Sequence, residues 1–113
     1  MKIINEKVTR NELKQMTKNM FDNLVKAVVD IDQKIMAVDA PMHSDEEAEL
    51  INNGSKQEYL WGINLYPEKY GEDFVEFDSM INIKPSQGNR SRSIDDPKIR
   101  KIITQIVNKL VKK

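Results

Sequence analysis

The sequence contains no cysteine, which excludes disulfides, thiolate metal sites, iron–sulfur ligation and cysteine nucleophiles together. It holds a single histidine, and no Gly-x-Ser-x-Gly, Gly-x-Gly-x-x-Gly or Gly-x-x-x-x-Gly-Lys pattern occurs, so no catalytic constellation can be read from motifs. Apolar runs are short. The longest, Tyr59 to Ile63, falls far below the roughly 20 residues that cross a bilayer. Met1-Lys2-Ile3-Ile4-Asn5-Glu6 lacks the apolar stretch and small-residue cleavage site of a secretory signal, and a cytoplasmic protein without membrane association is expected.

An excess of charge of either sign is also missing. Eighteen basic and eighteen acidic side chains in 113 residues describe neither a basic nucleic-acid coat nor an acidic tail. The balance is a sum of opposed blocks: +2 over residues 1–38, −9 over 39–78 and +7 over 79–113. If these blocks meet across the fold they neutralise each other. If they lie on opposite surfaces the molecule is dipolar, which favours a head-to-tail partner or an anionic ligand. A hydrophobic fraction of 39% is enough for one core, and a single domain over 1–113 is expected.

The elements follow from caps and periodicity. Thr9-Arg10-Asn11-Glu12 reads as a capping box, with Val8 stapled to Leu13, and Leu13, Met16, Met20, Phe21 and Leu24 keep helical spacing to about residue 25. Ala27–Ile31 and Lys34–Val38 read as a hairpin whose Asp32-Gln33 turn is weak, so a longer loop is an open alternative. Ser44-Asp45-Glu46-Glu47 reads as a second capping box, stopped at Asn53-Gly54. Tyr59–Tyr66 and Phe74–Ile83 read as longer strands, and Asp96-Pro97 starts a last helix carrying Ile99, Ile102, Ile103, Ile106, Val107, Leu110 and Val111. A short strand at Lys2–Ile4 is a further candidate. The expected fold is α+β: a two-layer sandwich with a mainly antiparallel sheet of four or five strands, two long helices on one face, and one short helix. The other sheet face would be half solvated.

If Tyr66 pairs with Phe74, then Trp61, Ile63 and Leu65 share a core face with Val75, Phe77, Ile81 and Ile83. The opposite face then carries Gly62, Asn64 and Tyr66 beside Glu76, Asp78, Met80 and Asn82, and Gly62 inside a strand marks a bulge or a close approach beside Asp78. His43 before three acids imitates a metal cluster, but neighbours on a helix point apart. The helix N-terminus explains Asp45, Glu46 and Glu47, and His43 reads as a surface residue.

The polar stretch Ser86 to Ser93 is the main functional candidate. Gln87, Asn89, Arg90 and Arg92, with Asp78 and Asn64 nearby, form the expected ligand-binding set, since arginines on a loop suit carboxylate or phosphate. Structural ion pairs from Arg90 and Arg92 are the competing reading. Nucleic acid is disfavoured, because the C-terminal 36 residues contain no stacking aromatic. The leading function is a non-catalytic binding or interaction module, with a second copy, another protein or a small anion as partner and no cofactor. The alternative is an enzyme acting on a phosphorylated or carboxylated substrate, with Arg90 and Arg92 as anion clamps and Asp78 or Glu76 as acid/base.

The run from Gly54 to Pro67, GSKQEYLWGINLYP, and that from Glu76 to Arg92, EFDSMINIKPSQGNRSR, resemble a family of small prokaryotic proteins known as a domain of unknown function. The resemblance covers nearly the whole chain. It implies a single-domain cytosolic protein, and it carries no activity or catalytic residue with it.

Overall fold

A computed structural model describes residues 1–20 and 23–112. Strand β1 (Lys2–Ile4) leads to β2 (Val8–Thr9) and helix α1 (Arg10–Met20). The capping box forms as expected: Thr9 Oγ1 accepts from the Glu12 N–H at 3.0 Å, and Glu12 Oε1 accepts from the Thr9 N–H at 3.1 Å. Val8 and Leu13 are both buried. The helix does not reach residue 25. Val25 instead opens β3 (Val25–Asp30), whose β-branched run pairs with β5, while Phe21 lies outside the described residues.

The expected hairpin joins β3 to β4 (Ile35–Val38), with Asp30 opposite Ile35 and the longer of the two turns. Asp30 organises that turn. Its Oδ1 accepts from the N–H groups of Asp32 and Gln33, its Oδ2 accepts from Ser55 Oγ at 2.6 Å, and Lys34 adopts φ 61°. Helix α2 (His43–Asn52) starts one residue before the expected cap, with Met42 at that position and no side-chain bond, so the Ser44 capping box does not form.

Strand β5 (Leu60–Leu65) is buried along its whole length, and β6 is only Val75–Glu76. The sheet order is β1-β4-β3-β5-β6, with every neighbour antiparallel. Tyr66 does stand against Phe74, its N–H donating to the Phe74 carbonyl at 2.9 Å. Beyond Glu76, however, the expected strand to Ile83 gives way to one-turn helices at Met80–Asn82 and Pro85–Gln87. Ile81 therefore packs on the second face and Ile83 is exposed, so neither joins Trp61 in the main core.

Helix α3 (Pro97–Leu110) starts as expected, Asp96 accepting from the Lys98 N–H at 2.8 Å, and runs into β7 (Val111–Lys112). β7 pairs with β2 in a small parallel ladder, Val8 with Val111. Leu13 of α1 and Ile103, Ile106, Val107 and Leu110 of α3 bury one sheet face through Ala27, Val29, Trp61, Ile63 and Leu65. The alternating residues Val28, Ala37 and Leu60 meet Leu50 of α2 on the other face. The α+β class and the antiparallel five-strand sheet hold. The second face is not half solvated, because α2 and the Met80–Asn82 turn cover it.

Acidic α2 and basic α3 thus sit on opposite sides of the sheet. The two charge blocks nevertheless meet in part, where Arg92 pairs with Asp78 and where Lys84 lies near Glu47 and Glu58. Among the described residues no helix is long and apolar enough to cross a membrane.

Candidate functional site

The register puts a polar row across three strands on the second face. Lys26 of β3 stands opposite Asn64 of β5, which stands opposite Glu76 of β6. Asn64 is buried and its Nδ2 donates to Glu76 Oε1 at 2.8 Å, while its Oδ1 is buried without a partner. Tyr66 Oη also donates to Glu76 Oε1, at 2.9 Å. The N-terminus of α2 ends above this row.

Three positions of α2 face the sheet: His43, Glu46 and Leu50. Counting back from Leu50 by four and by seven lands on the other two, a helical spacing that the acidic run conceals. His43 is therefore not a surface residue. Its Nε2 lies 2.7 Å from the Ile63 carbonyl, and because a carbonyl only accepts, Nε2 carries the hydrogen and Nδ1 keeps its lone pair. Burial pushes its pKa down, as does the Lys26 charge, against the Ile63 bond, Asp78 and the neighbouring Asn64 side chain, which pull upward. Nor is Glu46 explained by the helix dipole. It is fully buried, burial raises its carboxyl to about 10, and so it is uncharged at neutral pH; its Oε2 accepts from the Ala40 N–H at 3.2 Å and Oε1 has no partner.

The segment that replaces the expected strand closes the site. Asn82, fully buried, donates from Nδ2 to the Gly62 carbonyl at 2.9 Å and accepts at Oδ1 from the Gly62 N–H at 2.8 Å. Gly62 does mark a close approach, but its neighbour is the chain itself: a Cβ there would lie 2.5 Å from Ser79 Cβ. Asn89 extends the same device, its Nδ2 donating to the carbonyls of Asn82 and Ser93 at 2.7 Å and its Oδ1 accepting from the Asp95 N–H at 2.8 Å. Ser79 N–H and Asn82 Nδ2 both donate to the Arg92 carbonyl, at 3.0 Å each.

These ties bring Ser79 and Arg92 over Lys26 and the start of α2. A cavity of about 180 Å³ results, lined by Lys26, His43, Ser44, Ser79 and Arg92, with the exposed Met42 and Met80 also on its wall. Arg92 Nε pairs with Asp78 Oδ1 at 2.8 Å, both side chains about half exposed.

Of the residues expected to bind ligand, Asp78, Asn64 and Arg92 thus meet at or beside this cavity. Gln87 points elsewhere, donating to the Glu58 carbonyl at 3.0 Å, and Asn89 is spent on the backbone. Arg90 is exposed and makes no hydrogen bond or ion pair among the described residues. Sequence reasoning missed Lys26, His43 and Glu46. It also missed Lys84, whose Nζ donates to the Leu60 carbonyl at 2.6 Å and the Gln57 carbonyl at 2.9 Å and lies 4.2 Å from the centre of the Trp61 ring. Burial lowers that ammonium to about 8, with Glu47 and Glu58 opposing.

Residues 2–110 match the family described as protein of unknown function (DUF5674), which bears out the resemblance of the Gly54–Pro67 and Glu76–Arg92 runs to such a family. No curated protein and no solved structure matches the chain.

Proposed function

We propose that this chain, which belongs to that family of unknown function, is a binding protein for a small ligand bearing a carboxylate or phosphate, held in the cavity between α2 and the 78–92 segment. One observation carries the reading: two cationic residues, Lys26 and Arg92, line the same small cavity as Ser44, Ser79 and His43. Arg92 presents a planar fork of donors, of which Nε goes to Asp78. The N-terminus of α2 at His43, which no side chain caps, lies at the same end. Uncharged Glu46 does not set a negative charge beneath it.

The test is titration of the protein with inorganic phosphate and with succinate, followed by amide NMR and by thermal denaturation. Resonances of Lys26, Ser44, Ser79 and Arg92 should move with one of the two anions and the melting point should rise. Arg92→Gln should weaken that response at least tenfold. If neither anion shifts these resonances at 20-fold the protein concentration, or if Arg92→Gln responds as the parent does, the reading fails.

A second reading, an enzyme acting on such a substrate, draws on His43. With Nε2–H on the Ile63 carbonyl and its pKa lowered chiefly by burial, against the Asn64 contact that raises it, His43 is the general-base candidate of this cavity. Glu76 and Asp78, the carboxylates first considered for that role, already accept from Asn64, Tyr66 and Arg92. Turnover that His43→Gln abolishes while anion binding survives would favour this reading over simple binding.

A further inference from the structure

On the opposite side of the sheet from this cavity, a groove of about 560 Å³ runs between α3, the loop joining β1 to β2, and the β3–β4 turn. Its volume falls in the range of about 300–1,000 Å³ typical of organic-ligand clefts. The α3 wall carries an apolar strip: Ile102 is exposed at 37%, Ile106 and Leu110 lie at the edge of the core beneath it, and Gln105 and Lys109 flank it.

The rim has the opposite character. Lys7 comes from the loop, Lys34 from the turn and Lys109 from α3, so three separate elements each aim a cation at one groove. Lys112 of β7 lies near Lys7, and it first, with Lys109 after it, lowers the Lys7 ammonium below its ordinary value. None of the four has a carboxylate within 4.0 Å among the described residues, and Glu6 is the one acid on the lining. Lysine stems add methylene surface while their charged ends stay at the mouth. The lining carries no aromatic ring on which a base could stack, which sets nucleic acid aside.

We propose that this groove binds a single anionic amphiphile, a long-chain carboxylate, with the alkyl chain along Ile102, Ile106 and Leu110 and the carboxylate among Lys7, Lys34 and Lys109. Apolar surface and convergent cations in one cleft are the two features such a ligand needs. Its head group would supply the counter-charge that the lysines lack, and its chain would cover the exposed Ile102.

Dodecanoate, kept below its critical micelle concentration, is the probe. Calorimetry should give one site, and methyl NMR should show Ile102, Ile106 and Leu110 shifting together. Dodecyltrimethylammonium, with the same chain and the opposite charge, should bind at least tenfold more weakly, and acetate should leave these methyls unmoved. Lys7→Glu combined with Lys109→Glu should weaken dodecanoate at least tenfold with an unchanged circular dichroism spectrum, and Ile102→Ser should weaken it separately. Equal binding of the two amphiphiles, no effect of charge reversal, or dodecanoate-induced shifts at His43 and Arg92 instead of the α3 methyls would overturn the assignment. Arg92→Gln distinguishes the two sites, since it should leave dodecanoate binding intact.

Discussion

Asn82 uses its side-chain amide as a piece of β-strand: it gives one hydrogen bond to the backbone of Gly62 and takes one from it, at 2.9 and 2.8 Å. The sheet therefore continues past Glu76 without a strand to continue it. Because an amide side chain matches a peptide group in donor and acceptor, the backbone of β5 stays satisfied while the main chain of 78–92 is free to turn over the second face.

Replacing Asn82 by Ala leaves the Gly62 N–H and carbonyl buried without these partners. At about 1–3 kcal/mol for each unsatisfied group, a loss of roughly 2–6 kcal/mol in urea unfolding is expected. Asn82→Asp keeps the acceptor and loses the donor, and it buries a charge, so its deficit should shrink as the solution is acidified. A change under 0.5 kcal/mol for Asn82→Ala would show that the pair does not hold this segment.

Glu46 makes stability depend on pH in a definite direction. Its carboxyl titrates near 4.5 ordinarily and about 10 in the fold, so the folded chain keeps a proton that the unfolded chain releases. The stability it contributes is complete below pH 4.5 and is lost as pH rises toward 10. Glu46→Gln, which takes up no proton, should match the parent near pH 4 and exceed it by about 3 kcal/mol at pH 7. His43 acts oppositely and lower down: its depressed pKa contributes stability above 6.5 that is lost as pH falls. Denaturant curves of both chains at pH 4, 5.5, 7 and 8.5 separate the two, and a gain that does not grow with pH would refute the assignment to Glu46.

Lys84 lies over the ring of the one tryptophan, so Trp61 emission should report its proton. A step with a midpoint near pH 8 is expected in the parent, and none in Lys84→Met. Between pH 8 and 10.5 the unfolded chain binds the lysine proton and the folded chain does not, so this group favours the fold as pH rises. A fluorescence step retained in the methionine variant would assign the titration to another group.

The legible parts of the sequence were those with a local period or cap. Thr9-Arg10-Asn11-Glu12, Asp96-Pro97 and the isoleucines of α3 each act within one or two turns, and the register of Tyr66 against Phe74 follows from strand alternation. Residues 77–93 were not legible in the same way. Asn82 and Asn89 replace a strand through side-chain bonds to Gly62, Ser93 and Asp95, and such bonds have no repeat to detect. Gly62 gave the close approach but not the identity of Ser79 as the group approaching. In α2 the dipole argument explained three acids equally well, and that obscured the one, Glu46, which faces the sheet. The cavity itself needs Lys26, His43 and Arg92, distant in sequence, and only the fold brings them together.

The parallel ladder of Val8–Thr9 with Val111–Lys112 spans nearly the whole sequence on two residues per strand. Loop-closure entropy grows only slowly with length, and the burial of Val8, with Val111 packed on the same core, offsets it. Lys7 precedes one half of it and Leu110 the other, so this one ladder ties together the two walls of the groove, and a change at Val8 or Val111 is a change to the groove's frame.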